Sequence, residues 1–135
     1  MRIAVALAAA VLVAAAGCGG KKTSFTFANW GVLVDGAHTD KYDGAHVDIT
    51  GQIFLLDQEQ PGVTWMAIYA DPKNLTWETI VEVPRANILN LQETEIVHVV
   101  GVVDQKLPKP GSMAGFDIEP VILASTMKVV ALHPN

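Results

Sequence analysis

From Val47 onward apolar and polar positions alternate with a period of two. Val47, Ile49, Gly51, Ile53 and Leu55 alternate with His46, Asp48, Thr50, Gln52 and Phe54, the pattern of a strand with one face in a core. Gly51 falls where a bulge or a sharp coil is expected. Pro61-Gly62 makes a turn, and residues 63–70 (VTWMAIYA) form the next strand, closed by Asp71-Pro72. Residues 79–83 are a third strand, stopped by Pro84. Residues 85–93 (RANILNLQE) fit neither period and predict a single helical turn or a loop. The β-branched run 96–103 is too apolar to have a wet face and is predicted to be central. Residues 106–115, rich in Pro and Gly, are a loop. The last strand, 121–132, changes phase near Ser125-Thr126, which predicts a bulge there. Upstream, 25–27 and 30–34 are short apolar pieces suited to a leading strand or an irregular cover, and no segment carries a convincing helical period. Five strands and one vague helical spot predict a small all-β barrel or sandwich.

The first 17 residues follow a different pattern. Met1-Arg2 is followed by fourteen uncharged, apolar residues ending at Ala16. A cationic start, a short apolar run and a small-residue end are the parts of a secretory signal. The run is shorter than the roughly 20 residues that a membrane span needs. Ala15-Ala16-Gly17-Cys18 resembles the lipobox of a bacterial lipoprotein, with Ala15 where leucine is usual. The resemblance implies cleavage before Cys18, a lipid on its sulfur and residence at the outer face of a membrane. Cys18 is the single cysteine, so an exported chain offers it no disulfide partner, and two acyl chains give stable anchoring. The alternative is an ordinary cleaved signal with an incidental cysteine. The domain plan is therefore a signal peptide at 1–17, a lipidated tether at 18–24, an N-terminal extension at 25–42 and a barrel at 43–135.

Composition sharpens this plan. The chain is 50% apolar, but without the leader that falls to about 45%, as in ordinary soluble domains. Losing Arg2 moves the formal net charge from −5 to −6. One domain of this size excludes a multi-domain enzyme, and the acidity disfavours gripping a phosphate backbone by bulk charge.

The ordered strands, VDITGQI at 47–53, AIYAD at 67–71, EIVHVVGVV at 95–103 and PVILA…MKV at 120–129, resemble the OB-fold. They are most similar to OB domains of the anticodon-binding type, across roughly 43–132. The resemblance implies a five-stranded Greek-key barrel whose strand-two and strand-three face binds oligonucleotides, oligosaccharides or peptides. Gly51 and Gly101 fall where closure requires tight coiling.

Candidate chemistry is sparse. Trp65 and Tyr69 share one face of the second strand and Trp77 lies in the following loop, so these three are either ligand-stacking contacts or core. Asp35-Gly-Ala-His38 and Asp43-Gly-Ala-His46 repeat eight residues apart. Their Asp35, His38, Asp43 and His46 could ligate a divalent cation, although Asp-Gly is also a common turn. The chain has no Gly-x-Ser-x-Gly elbow, Walker loop or His-Glu-x-x-His helix. His98 inside an apolar strand reads as a structural histidine, and no cofactor is implied. The expectation is a non-enzymatic binding or scaffolding module anchored to a membrane through Cys18. Its partner would be an envelope protein, a glycan or a peptide. Single-stranded nucleic acid is the alternative, set against the acidic charge, and metal binding through the repeat is a further one.

Overall fold

The computed structural model describes residues 23–84 and 91–131. Its elements are β1 (Ser24–Phe25), α1 (Trp30–Gly36), β2 (His46–Asp57), β3 (Val63–Asp71), β4 (Thr76–Pro84), β5 (Ile96–Val103) and β6 (Val121–Ala131). Strands β2, β3 and β4 form an antiparallel meander. β6 then lies parallel to β4, and β5 fits antiparallel between β6 and β2. The order β2-β3-β4-β6-β5 returns to β2 and closes a five-stranded barrel. β1 pairs parallel with the start of β2, Ser24 with His46 and Phe25 with Val47. Among the described residues no helix is long and apolar enough to cross a membrane.

The alternation in β2 does what it predicts: Val47, Ile49 and Ile53 are buried while His46, Asp48 and Thr50 are exposed. The irregularity, however, falls between Ile53 and Leu55 and not at Gly51. Gly51 instead permits close packing, because a β-carbon there would stand 2.7 Å from the Tyr69 carbonyl oxygen. The extra residue switches faces, so that Leu56 joins the barrel interior while Phe54 and Leu55 pack outside.

β5 is central as expected, flanked by β2 and β6, yet it does have two different faces. Val97, Val99 and Val103 point inward, and His98, Val100 and Val102 are half-buried on the outside. The predicted bulge in β6 is present, since Val100 pairs with Thr126 and Gly101 with Ala124, leaving Ser125 over. Residues 85–90, part of the expected helical turn or loop, lie outside the described residues.

The segment 25–42 is neither a full strand nor an irregular cover. A 3-10 turn, Phe27–Asn29, runs into α1; Thr26 N–H donates to Asn29 Oδ1 (2.8 Å) and Ala28 N–H to Thr26 Oγ1 (3.3 Å), a reciprocal cap that fixes the entry. Trp30 and Leu33, three apart and so on one face, are fully buried. With Phe25 they complete the main core alongside Val47, Ile68, Val81, Val99 and Ile122. Seven residues containing two glycines cannot sustain a helix alone, so packing of this face stabilises it. The barrel thus recruits the segment expected as an extension into its own core.

Candidate functional site

OB barrels take ligands on the outer face of the second and third barrel strands and on the loops beside it. Here that face belongs to β3 and β4, with the end of β2, the 58–62 turn and the 104–120 loop. Its centre is apolar: Trp65, Ala67, Ile80 and Val121 form a second buried cluster. The lid of this cluster is the chain's own 104–120 loop, which seats Met113 at 0% exposure, with Leu107 and Phe116 packed beside it.

Polar contacts fix the loop at several points. Ser112 Oγ donates to the Asp57 carboxylate, which also accepts from Glu59 N–H (2.9 Å) and Gln60 Nε2 (3.2 Å). Gln105 donates its N–H to Asp43 Oδ1 (2.9 Å) and its Nε2 to Glu119 O, while its Oε1 accepts from Val121 N–H (2.6 Å). Ile80 N–H donates to Pro120 O. Asp57 therefore joins both loops that border the face.

What remains at the surface is an aromatic pair. Phe54 and Tyr69 stack with centroids 4.2 Å apart at 22°, and Phe116 meets Phe54 edge-on at 6.1 Å. Glu78 is register-paired with Tyr69, and Glu82 with Trp65. Burial, with Asp104 nearby, holds the Glu82 carboxyl above its ordinary value. This electrostatic setting penalises further negative charge.

The structure separates the three aromatics named from sequence. Trp65 is 2% exposed and takes the core role. Tyr69 is half-buried on the same face. Trp77 is elsewhere: it lies in β4 and not in the loop expected for it, because the strand begins at Thr76, and it packs against the main core 5.3 Å from the Phe27 ring. Phe54 was not singled out from sequence, although the alternation does place it outward with Gln52. The bulge changes the two residues after it, turning Leu55 outward and Leu56 inward. The consecutive apolar residues Phe54-Leu55-Leu56 break the period and mark the place.

The repeated Asp-Gly-Ala-His units have a structural role. Ala37 and Ala45 are buried at 1% and 3%, while His38 and His46 are exposed. The ring of Tyr42 covers Gly36, and Asp43 holds the Gln105 amide. Among the described residues no three His, Cys, Asp or Glu side chains stand where they could hold a metal ion. Asp35, His38, Asp43 and His46 are therefore not gathered into a ligand set. His98 Nε2 lies 2.6 Å from Asp48 Oδ1 across β5 and β2, a cross-strand partner for the strand histidine. Cys18 lies outside the described residues.

No family model matches this chain, and no curated protein matches it in sequence. Solved structures do match. Entamoeba histolytica asparaginyl-tRNA synthetase in complex with asparaginyl-adenylate aligns over 68% of this chain and 22% of that one, at 11% identity and a TM-score of 0.50. A Leishmania major Friedlin protein assigned as an aspartyl-tRNA synthetase aligns over 93% of this chain and 24% of that one, at 12% identity and a TM-score of 0.52. The chain thus spans less than a quarter of either synthetase. At such identity the likeness is one of fold, and the fold of this chain is an OB-like five-stranded barrel.

Proposed function

We propose that the chain is a non-enzymatic OB-fold binding or scaffolding module, held at the outer face of a membrane by lipid on Cys18. The observation that carries the binding reading is the state of the outer barrel face. Its apolar centre is covered by Met113, its surviving aromatic pair is Phe54 and Tyr69 with Glu78 opposite Tyr69, and Glu82 lies further along the same face opposite Trp65. Aromatic planes with an acidic rim suit a glycan ring or a cationic peptide and disfavour a polyanion. The anchor rests on the leader and on Ala15-Ala16-Gly17-Cys18.

A second reading, single-stranded nucleic acid, is favoured by one observation: the two solved structures named above are tRNA synthetases. Base stacking on Tyr69 would be its chemistry. The charge of the chain beyond its leader opposes it, because counterion release rewards cations.

One titration separates the two. Amide shifts are followed while oligosaccharides, a lysine-rich peptide and single-stranded RNA are added at low and high salt. Perturbations around Phe54 and Tyr69 by glycan or peptide, lost in Tyr69→Ala, support the first reading. Salt-sensitive RNA binding at the same residues would replace it with the second. Intact mass of the membrane-extracted chain reports the anchor, and an unmodified thiol at Cys18 would remove it.

A further inference from the structure

The end of the barrel where the chain enters carries an apolar surface that the outer face does not explain. Phe27 is 54% exposed and Leu75 51%. Trp77, half-buried, packs on Phe27, and Thr26, Phe27 and Pro72 line one groove with Asp48, Ile49 and Thr50. Leu75 and Trp77 also hold φ angles of 53° and 62°, a left-handed region that bulky residues rarely adopt. Two large apolar side chains are kept at a strained hairpin that glycine or asparagine would form with less strain.

Chain length restricts what can face this surface. If lipid sits on Cys18, as proposed above, the segment from Cys18 to Thr23 spans at most ~18 Å. The Phe27 end must then stay close to the lipid headgroups. Lys21 and Lys22 lie in that tether and Lys73 in the hairpin beside Leu75, suiting anionic headgroups. Two acidic groups at this end have partners: Asp48 with His98, and Asp71 with the Asn74 amide and side chain. Tryptophan beside exposed aliphatic and aromatic carbon matches the chemistry of a bilayer interface.

We infer that Phe27, Leu75 and Trp77 form a membrane-docking surface that seats the barrel on the bilayer to which Cys18 ties it. This rests on the anchor reading. Bulk charge does not drive it, since the chain is acidic; the tether supplies proximity and the apolar surface supplies orientation.

The test uses the full lipidated chain in phosphatidylethanolamine–phosphatidylglycerol vesicles containing phospholipid spin-labelled near the headgroup. Trp30 and Trp65 are 0% and 2% exposed, so Trp77 is the described tryptophan within reach of the quencher. Docking predicts quenching that Trp77→Phe abolishes and that Phe27→Ser with Leu75→Ser reduces at least twofold. The second variant changes only exposed side chains, so it remains informative if Trp77→Phe perturbs the core. Intact mass of the same sample separates the failures. An acylated chain with unquenched Trp77, or quenching indifferent to these substitutions, overturns docking and leaves the anchor standing. An unacylated Cys18 overturns the anchor and docking together.

Discussion

The Ser112 hydroxyl donates to the Asp57 carboxylate, joining residues 55 apart in sequence and fastening the middle of the 104–120 loop to the end of β2. Ser112→Ala removes that bond and leaves the loop's other contacts. Stability should fall by about 1 kcal/mol. Amide exchange around Met113 should accelerate more than exchange in β5, as for a locally opening segment. Equal acceleration in both would mean that Ser112 supports the whole barrel and is no local latch.

Met113 is the cover on Trp65. Met113→Ala should cost about 2–4 kcal/mol, the lost burial plus the cavity left behind. Trp65 emission should also shift to the red and become quenchable by acrylamide. A variant equally destabilised but with unchanged emission would show that another side chain shields Trp65.

Gly101 permits no side chain. A β-carbon there would stand 2.2 Å from the Leu123 carbonyl oxygen and 2.7 Å from the Ala124 α-carbon, beside the β6 bulge. Gly101→Ala must displace backbone and should cost about 3 kcal/mol or more. Gly111→Ala, with open space at its β-carbon, should stay within about 0.5 kcal/mol. Urea denaturation of both variants makes the comparison.

Glu82 and Asp71 respond to acid in opposite senses. Burial, then Asp104, raises the Glu82 carboxyl above its ordinary 4.5. Its ionisation therefore weakens the fold once pH exceeds the raised native value, and the penalty is absent below about 4.5. Glu82→Gln should raise the urea midpoint at neutral pH and lose that gain in acid. The Asn74 side chain, against opposing burial, lowers Asp71 below its ordinary 3.8, with the Asn74 and Lys73 backbone amides adding. Its stabilising contribution is complete above 3.8 and is lost as pH falls through the lower native value. Asp71→Asn should flatten that acid limb of the midpoint-against-pH curve.

The barrel strands were legible because β-branched runs end at Pro, Gly and Asp. The bounds read for the strand at 96–103 coincide with those of β5, and the phase change at Ser125 became a bulge. α1 escaped because its signal is two buried residues in seven, and its stability comes from a core assembled elsewhere. The shared face of Trp65 and Tyr69 could be read from their spacing. That Trp65 is covered could not, because the cover is Met113, a single side chain in a Pro- and Gly-rich stretch without periodicity. Phe54 faces out as the alternation requires, but the one-residue insertion after Ile53 reverses Leu55 and Leu56, and its stacking on Tyr69 across the strands has no signal in local sequence.

The closure of β2 onto β5 also bears on how the chain matures. Over His46–Gln52, one edge of β2 waits for a partner that is synthesised far later; Asp48 and His98 are 50 residues apart. Until Val103 has been made, that edge offers unsatisfied amides and carbonyls to any neighbouring strand. Assembly is governed by contacts distant in sequence, which makes it slow beside locally connected folds. A truncated or stalled chain would present an adhesive template, and whatever keeps nascent copies apart must act until β5 arrives.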